Sequence, residues 1–477
     1  MPDTTATPAA ADAANARTTQ ATIGLENRVA RWLRSPIGAL FAQAWFDRLA
    51  YILLTRWFFP LSRLWAAARE AEGSPERFIK SVPIEPAPKL SGRLTRALER
   101  FEVARRAVTA AEERWEAAFF GPGETGPDDL VAIEMDRIDR RTTYNATRRH
   151  FRFLRKRPFP AIRWETPHPE QLESEAYREF TNAKTAFAPP ETMPEVAVSR
   201  TVPAPTGRDY WLRFASPSPI MNDTVYARVH EPEGVENPPT LVFGHGVCVE
   251  FDHWHNLIDE VADLSRAGIR VIRPEAPWHG RRVLPGRFGG ETLFARTPLG
   301  VLELFTAAVR EQAVLLDWAR NHTSGPVALG GSSLGAMISQ ATIVNARDWP
   351  ERLRPDAAFL ITPCARHEDA AVKGVMAKAW GTASRSEEIG WSQEKTAEVM
   401  DLVDPHGAPS IDPARIVVIL GSRDQVTPYH SGLKLVEDWG VPAENVFTWP
   451  LGHFSIPLRM MRDARPLGRF MSVLGSL

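Results

Sequence analysis

PVALGGSSLGAMISQATIV, residues 326–344, decides how the second half of this chain folds. An apolar run, PVALGG, reaches a small-residue turn and leaves it as an apolar helix, LGAMISQATIV. Inside the turn, Gly331, Ser333 and Gly335 fit G-x-S-x-G. The pattern alone is weak, since about 0.1 such matches are expected by chance in a chain of this composition. The strand-to-helix context gives it weight. A sharp turn between strand and helix forces its central residue into a strained conformation, and flanking glycines allow the chains to approach. Ser333 is therefore the candidate nucleophile. Its hydroxyl is expected over the sheet edge at a helix N-terminus, where developing negative charge is favoured. Ser332 lies off the motif and reads as structural.

Outward from this turn, apolar strand patterns alternate with helical ones. DYWLRFA and TVYARVHEP predict a leading hairpin, followed by TLVFGHG as a strand and a helix over Asn256–Ala267. GIRVIRPEAP, AAFLITP, RIVVILGS and ENVFTWP predict further strands. Helices are predicted over Leu299–Asn321, Ser333–Asn345, about Glu368–Val403 and Ser431–Trp439. Such alternation implies a mostly parallel sheet covered on both faces, an α/β fold with its chemistry at the carboxyl ends of the strands.

A serine hydroxyl needs a base. Of twelve histidines, His453 stands in WPLGHFS, just beyond the last apolar run and at the correct edge to reach Ser333. The base needs an acid to fix its tautomer, and Asp424 follows RIVVILGS directly. Glu368 and Asp369, after the preceding strand, are rivals. Asp401, Asp404 and Asp412 sit before their strand, at the wrong end. His245, His253, His255 and His279 lie in other carboxyl-end loops and are candidates for lining a pocket.

The half from about residue 205 to 477 resembles the α/β-hydrolase superfamily. The resemblance rests on the elbow, on VFGHGVCVEFDHW (242–254), on RPEAPWHGRR (273–282), and on GSRDQVTP (421–428) with GHFS (452–455). The order Ser333, Asp424, His453 is the order of that family's triad. The resemblance implies an oxyanion held by the N–H groups of Leu334 and Val247, and a substrate site touching His245, Gly246, Trp278 and His279. It also implies a helical cap at about 365–412, where Met376, Trp380, Trp391 and Met400 either cover an apolar substrate or pack inside the cap. Glu275 and Trp278 depart from the family's usual Asp and Gly. Cys248 reads as buried packing.

The N-terminal half has a different texture. Residues 1–30 are Ala- and Thr-rich and read as a disordered lead. Residues 31–190 read as a helical domain, a lid or a membrane-surface element, joined by a Pro-rich linker at 191–207 to the 208–477 domain. Phe41, Trp45, Leu49 and Ile52 recur at helical spacing, interrupted by Asp47 and Arg48. This stripe predicts a helix packed on its own domain or, through residues 31–68, either contact with a membrane surface or a greasy wall of a substrate tunnel. Leu90–Phe120 reads as a long charged helix. Asp136–Pro158 reads as an Arg-rich helix whose arginines form either a solvated face with acidic neighbours or a patch for an anionic partner.

With 57 basic and 58 acidic residues the chain is nearly neutral, which argues against nucleic-acid binding by bulk charge. Two cysteines build no disulfide framework, and no Cys/His cluster has zinc spacing. No run reads as a membrane span. The expected protein is a serine hydrolase of carboxylic esters, needing no metal or cofactor, cytoplasmic or membrane-associated, with oligomeric state unspecified. Acyl transfer, thioester cleavage or a non-catalytic scaffold are the alternatives.

Overall fold

The computed structural model describes residues 35, 38, 40–84, 88–248 and 261–477. The lead at 1–30, His253, His255 and the start of the predicted helix at 256–267 lie outside the described residues.

Among the described residues, ten strands form one sheet in the order β1-β3-β4-β6-β5-β7-β8-β9-β10, with β2 pairing β3. The first four are β1 (Ala197–Val198), β2 (Val202–Ala204), β3 (Gly207–Ala215) and β4 (Thr224–Pro232). The rest are β5 (Thr240–Gly244), β6 (Arg270–Pro274), β7 (Val327–Ser332), β8 (Ala357–Ile361), β9 (Ile416–Gly421) and β10 (Val446–Trp449). β3 and β4 pair antiparallel, and β4 joins β6 the same way. From β6 to β10 every pairing is parallel. This is a mixed, mostly parallel sheet with helices on both faces, the α/β fold expected from the alternation of strand and helix.

The central strands are apolar throughout because both faces are covered. On β9, Ile416, Val418 and Leu420 enter one apolar layer while Val417 and Ile419 enter the other. The long helices are α1 (Ala44–Leu53), α2 (Phe59–Ala71), α3 (Pro88–Phe120), α4 (Pro127–Ala146), α5 (Leu299–Arg320), α6 (Leu334–Asn345), α7 (Gln393–Val403), α8 (Tyr429–Trp439) and α9 (Arg465–Leu474). α5 and α6 fill the first layer; Phe470 and Val473 of α9 fill the second. Between β8 and β9, four helices occupy 367–403 where one helical stretch was expected.

The N-terminal half departs from expectation in three places. The Pro-rich stretch read as a linker carries β1 and β2, so it is part of the sheet. β2 tolerates Pro203 because, among the described residues, it pairs with β3 alone. The Arg-rich helix begins at Pro127, with proline at its first positions and Asp128 and Asp129 in the first turn, and ends at Ala146. Its arginines are not a uniformly solvated face. Arg137 is buried, forked onto Glu134 at 2.8 and 2.9 Å, with its guanidinium 5.3 Å from the Trp115 ring. Just beyond the helix's end, Arg148 is buried against Trp65.

α1 and α2 run as one helical course through a π-helical turn at Leu54–Phe58. Pro60 explains that turn, because it has no N–H to give the carbonyl four residues back. That carbonyl, Arg56 O, accepts instead from Arg155 Nη1 at 2.8 Å. No described helix is long and apolar enough to cross a membrane.

Candidate active site

β5 and β7 lie side by side in parallel, with Gly244 opposite Gly331 in register. The turn after β5 and the elbow after β7 therefore leave the sheet together, where the strand order reverses. Three glycines make this approach: a Cβ on Gly335 would stand 2.1 Å from Gly244 C, and one on Gly331 would stand 2.5 Å from Gly335 C. The sequence marked Gly331 and Gly335; Gly244 is the third member, legible only once the strands are paired.

Ser333 takes φ 54° and ψ −115°, a conformation that strains an L side chain. It is held on both sides. Its N–H donates to Ile361 O at 2.9 Å, and its carbonyl accepts from Met337 N–H at 2.9 Å. The hydroxyl oxygen stands 3.0 Å from His453 Nε2. His453 Nδ1 is 2.7 Å from Asp424 Oδ2. An ionised carboxylate can only accept, so Nδ1 carries the proton and Nε2 is left as an acceptor facing the serine.

Asp424 is buried, and its remaining acceptor sites are used. Oδ1 accepts from Val426 N–H at 2.8 Å and Thr427 N–H at 3.1 Å, and Oδ2 from Thr427 Oγ1 at 3.1 Å. Thr427 also reaches His453 Nδ1 at 3.2 Å. Its place in RDQVT carried no signal in sequence. The rival carboxylates are engaged elsewhere. Glu368 meets Lys373 at 2.9 Å, Asp369 faces His430 at 3.7 Å, and Asp404 holds His367. A hydroxyl, an imidazole and a carboxylate in this line can pass a proton from oxygen to nitrogen while the carboxylate stabilises the resulting imidazolium.

The residues expected to touch substrate divide. Gly246 and Val247 are half-buried on the turn after β5. His245 and His279 are fully buried and tied to main chain. His245 Nδ1 faces Gly246 O at 2.7 Å, and its Nε2 accepts from Ala276 N–H at 3.1 Å. His279 Nδ1 faces Pro277 O at 2.9 Å, and its Nε2 accepts from Cys248 N–H at 3.2 Å. The two imidazoles thus lace the turn after β5 to the loop after β6. Burial, then His279, holds His245 well below the usual imidazole pKa, in keeping with an Nε2 that must accept.

Trp278 stands at φ 62° where the resembled family often has glycine, and is buried. Glu275 holds this loop by accepting from Arg281 N–H at 2.7 Å. Among the cap residues, Trp391 and Met400 are fully buried and Met376 nearly so, with Trp391 Nε1 donating to Pro167 O at 2.7 Å. They pack inside. Trp380 packs edge-on against Phe59 at 4.7 Å, joining the cap to α2.

Comparison with family models and with curated proteins finds no match. Solved structures do show likeness. Acetyl xylan esterase 1 from Thermoanaerobacterium sp. JW/SL YS485 is 15% identical, covers 66% of this chain and 96% of its own, and superposes with a TM-score of 0.45. A hyperthermophilic esterase from the archaeon Pyrobaculum calidifontis is 16% identical over 65% and 96%, with a TM-score of 0.36. Est1E from Butyrivibrio proteoclasticus, solved with ferulic acid, is 16% identical over 53% and 96%, with a TM-score of 0.35. Likeness of this degree assigns neither substrate nor mechanism to this chain.

Proposed function

We propose that this protein is a serine hydrolase acting on carboxylic esters through an acyl-enzyme. The observation that carries the reading is the line from Asp424 through His453 to Ser333, at 2.7 and 3.0 Å, ending on a serine in a strained turn. Ser333 Oγ attacks the ester carbonyl as His453 Nε2 takes its proton. Asp424 keeps the proton on Nδ1 and stabilises the imidazolium. The tetrahedral oxyanion meets the N–H groups of Leu334 and Val247; two such donors contribute a few kcal/mol to transition-state stabilisation. His453 returns its proton to the departing alkoxide. Water, activated by the same imidazole, then releases the acid and restores Ser333.

Support for the oxyanion site comes from Leu334, the first residue of α6, whose N–H has no hydrogen-bond partner among the described residues. The test is steady-state hydrolysis of a p-nitrophenyl ester chain-length series, with and without an added alcohol. Water as sole acceptor supports a hydrolase. Preferential formation of a new ester would make the protein an acyltransferase on the same residues.

One observation favours an addition. α1 shows Trp45, Leu49, Ile52 and Leu53 on an exposed stripe, with Trp57 beyond them and Arg48 and Arg56 exposed nearby. We propose that this stripe contacts an anionic lipid surface, with tryptophans at the interface and arginines toward phosphate.

A further inference from the structure

Asp47 interrupts the apolar pattern of α1, and its carboxylate is spent entirely on a loop four hundred positions away. Oδ1 accepts from Phe454 N–H at 2.7 Å and Ser455 N–H at 3.2 Å. Oδ2 accepts from Gly452 N–H at 3.1 Å and from Ser455 Oγ at 2.5 Å. The residue bracketed by these four bonds is His453. Gly452 is shaped to the contact as well, since a Cβ there would stand 2.5 Å from Asp47 Cγ. Ser455 Oγ lies 3.3 Å from Gly452 O, and Leu451 N–H donates to Trp449 O at 2.8 Å.

We infer that Asp47 is a positioning residue that fixes the loop bearing His453. This rests on the proposed roles of Ser333, His453 and Asp424. An imidazole must meet a hydroxyl on one side and a carboxylate on the other, so a small swing of its loop loses both contacts. Charge-assisted bonds from one carboxylate to three main-chain N–H groups are a stiff way to prevent that swing. The N-terminal helix is then part of what makes the site competent, though it touches no reacting atom.

The test uses the full chain and a p-nitrophenyl ester, with competent sites counted from the end-point of fluorophosphonate labelling. Asp47→Ala should lower kcat per labelled site about ten- to a hundredfold, the scale of a base misplaced by about 1 Å. KM should stay within about twofold, because substrate binding is not touched. Asp47→Asn, which keeps one acceptor oxygen, should fall between. Gly452→Ala should reproduce the defect in the native background and add little to Asp47→Ala, because both break one contact. Gln43→Ala, at an exposed position just before α1, should leave kcat unchanged. An unchanged kcat per site in both Asp47 variants, or a loss seen only in melting temperature and in the number of labelled sites, would overturn the inference. Full turnover by Ser333→Ala, measured alongside, would instead sink the proposed site and this inference with it.

Discussion

Helices α5 and α1 both carry apolar residues at helical spacing and are used in opposite ways. α5 buries nearly its whole surface, including Glu303, Thr306, Glu311 and Gln312. Its polar groups are matched: Glu311 meets Arg282, Glu303 meets Arg296, and Gln312 accepts from Thr342 Oγ1. α1 has no fully buried residue. It turns its carboxylate toward the body and leaves its apolar stripe outside. Burying α5 removes a large apolar area from water, which stabilises the fold. Docking α1 through Asp47 buries little, so its value lies in where it holds another loop. An apolar stripe therefore identifies a helix more safely than it identifies the face that meets the protein.

Three measurements break or sharpen that contrast. The largest effect belongs to α5. Leu304 is fully buried, and Leu304→Ala should cost about 2–5 kcal/mol in urea unfolding, the range of a cavity in a packed core. A cost near zero would mean that α5 is less tightly packed than its burial implies.

The next concerns pH and the imidazole behind the site. Folded, His245 is held well below its ordinary value of 6.5 by burial, by His279 and by Arg273; unfolded, it returns there. The unfolded chain takes up this proton first, so the contribution is full above 6.5 and is lost as pH falls below it, by at most about 1.4 kcal/mol per pH unit. Urea midpoints between pH 7.5 and 5.5 should fall on the acid side, and His245→Gln should flatten the slope. An identical slope in the variant would remove His245 from the pH response.

The smallest effect on stability belongs to the α1 stripe. Trp45→Ala and Ile52→Ser remove exposed groups and should change stability by less than about 0.5 kcal/mol. The same pair should reduce co-sedimentation with phosphatidylglycerol vesicles, because the stripe is the proposed contact. Unaltered sedimentation would show that the stripe does not face lipid.

The alternation of strand and helix, the elbow and the loops after β9 and β10 were readable because each is written in a few adjacent residues. Ser333, Asp424 and His453 follow from their positions at strand ends, and the pairing of β7 through β10 in sequence order brings those ends to one rim. What was not readable depends on partners far apart in the chain. Asp47 looked like a break in a stripe because its partners are Gly452, Phe454 and Ser455, four hundred positions away. His245 and His279 looked like pocket lining because nothing local shows that their nitrogens bond main chain. The Pro-rich 191–207 stretch looked like a linker because prolines weaken a strand signal, yet an edge position accepts them. Arg137 of α4 looked solvated because its ring partner, Trp115, lies on α3.

The most direct test of the central claim is to map the adduct of a fluorophosphonate probe on the intact chain by peptide mass spectrometry. The expected result is one adduct per chain on Ser333, none on that peptide in Ser333→Ala, and a rate at least about a hundredfold lower in His453→Ala, the scale of a lost general base. An adduct on another residue, or labelling of Ser333 at an unchanged rate without His453, would contradict the account.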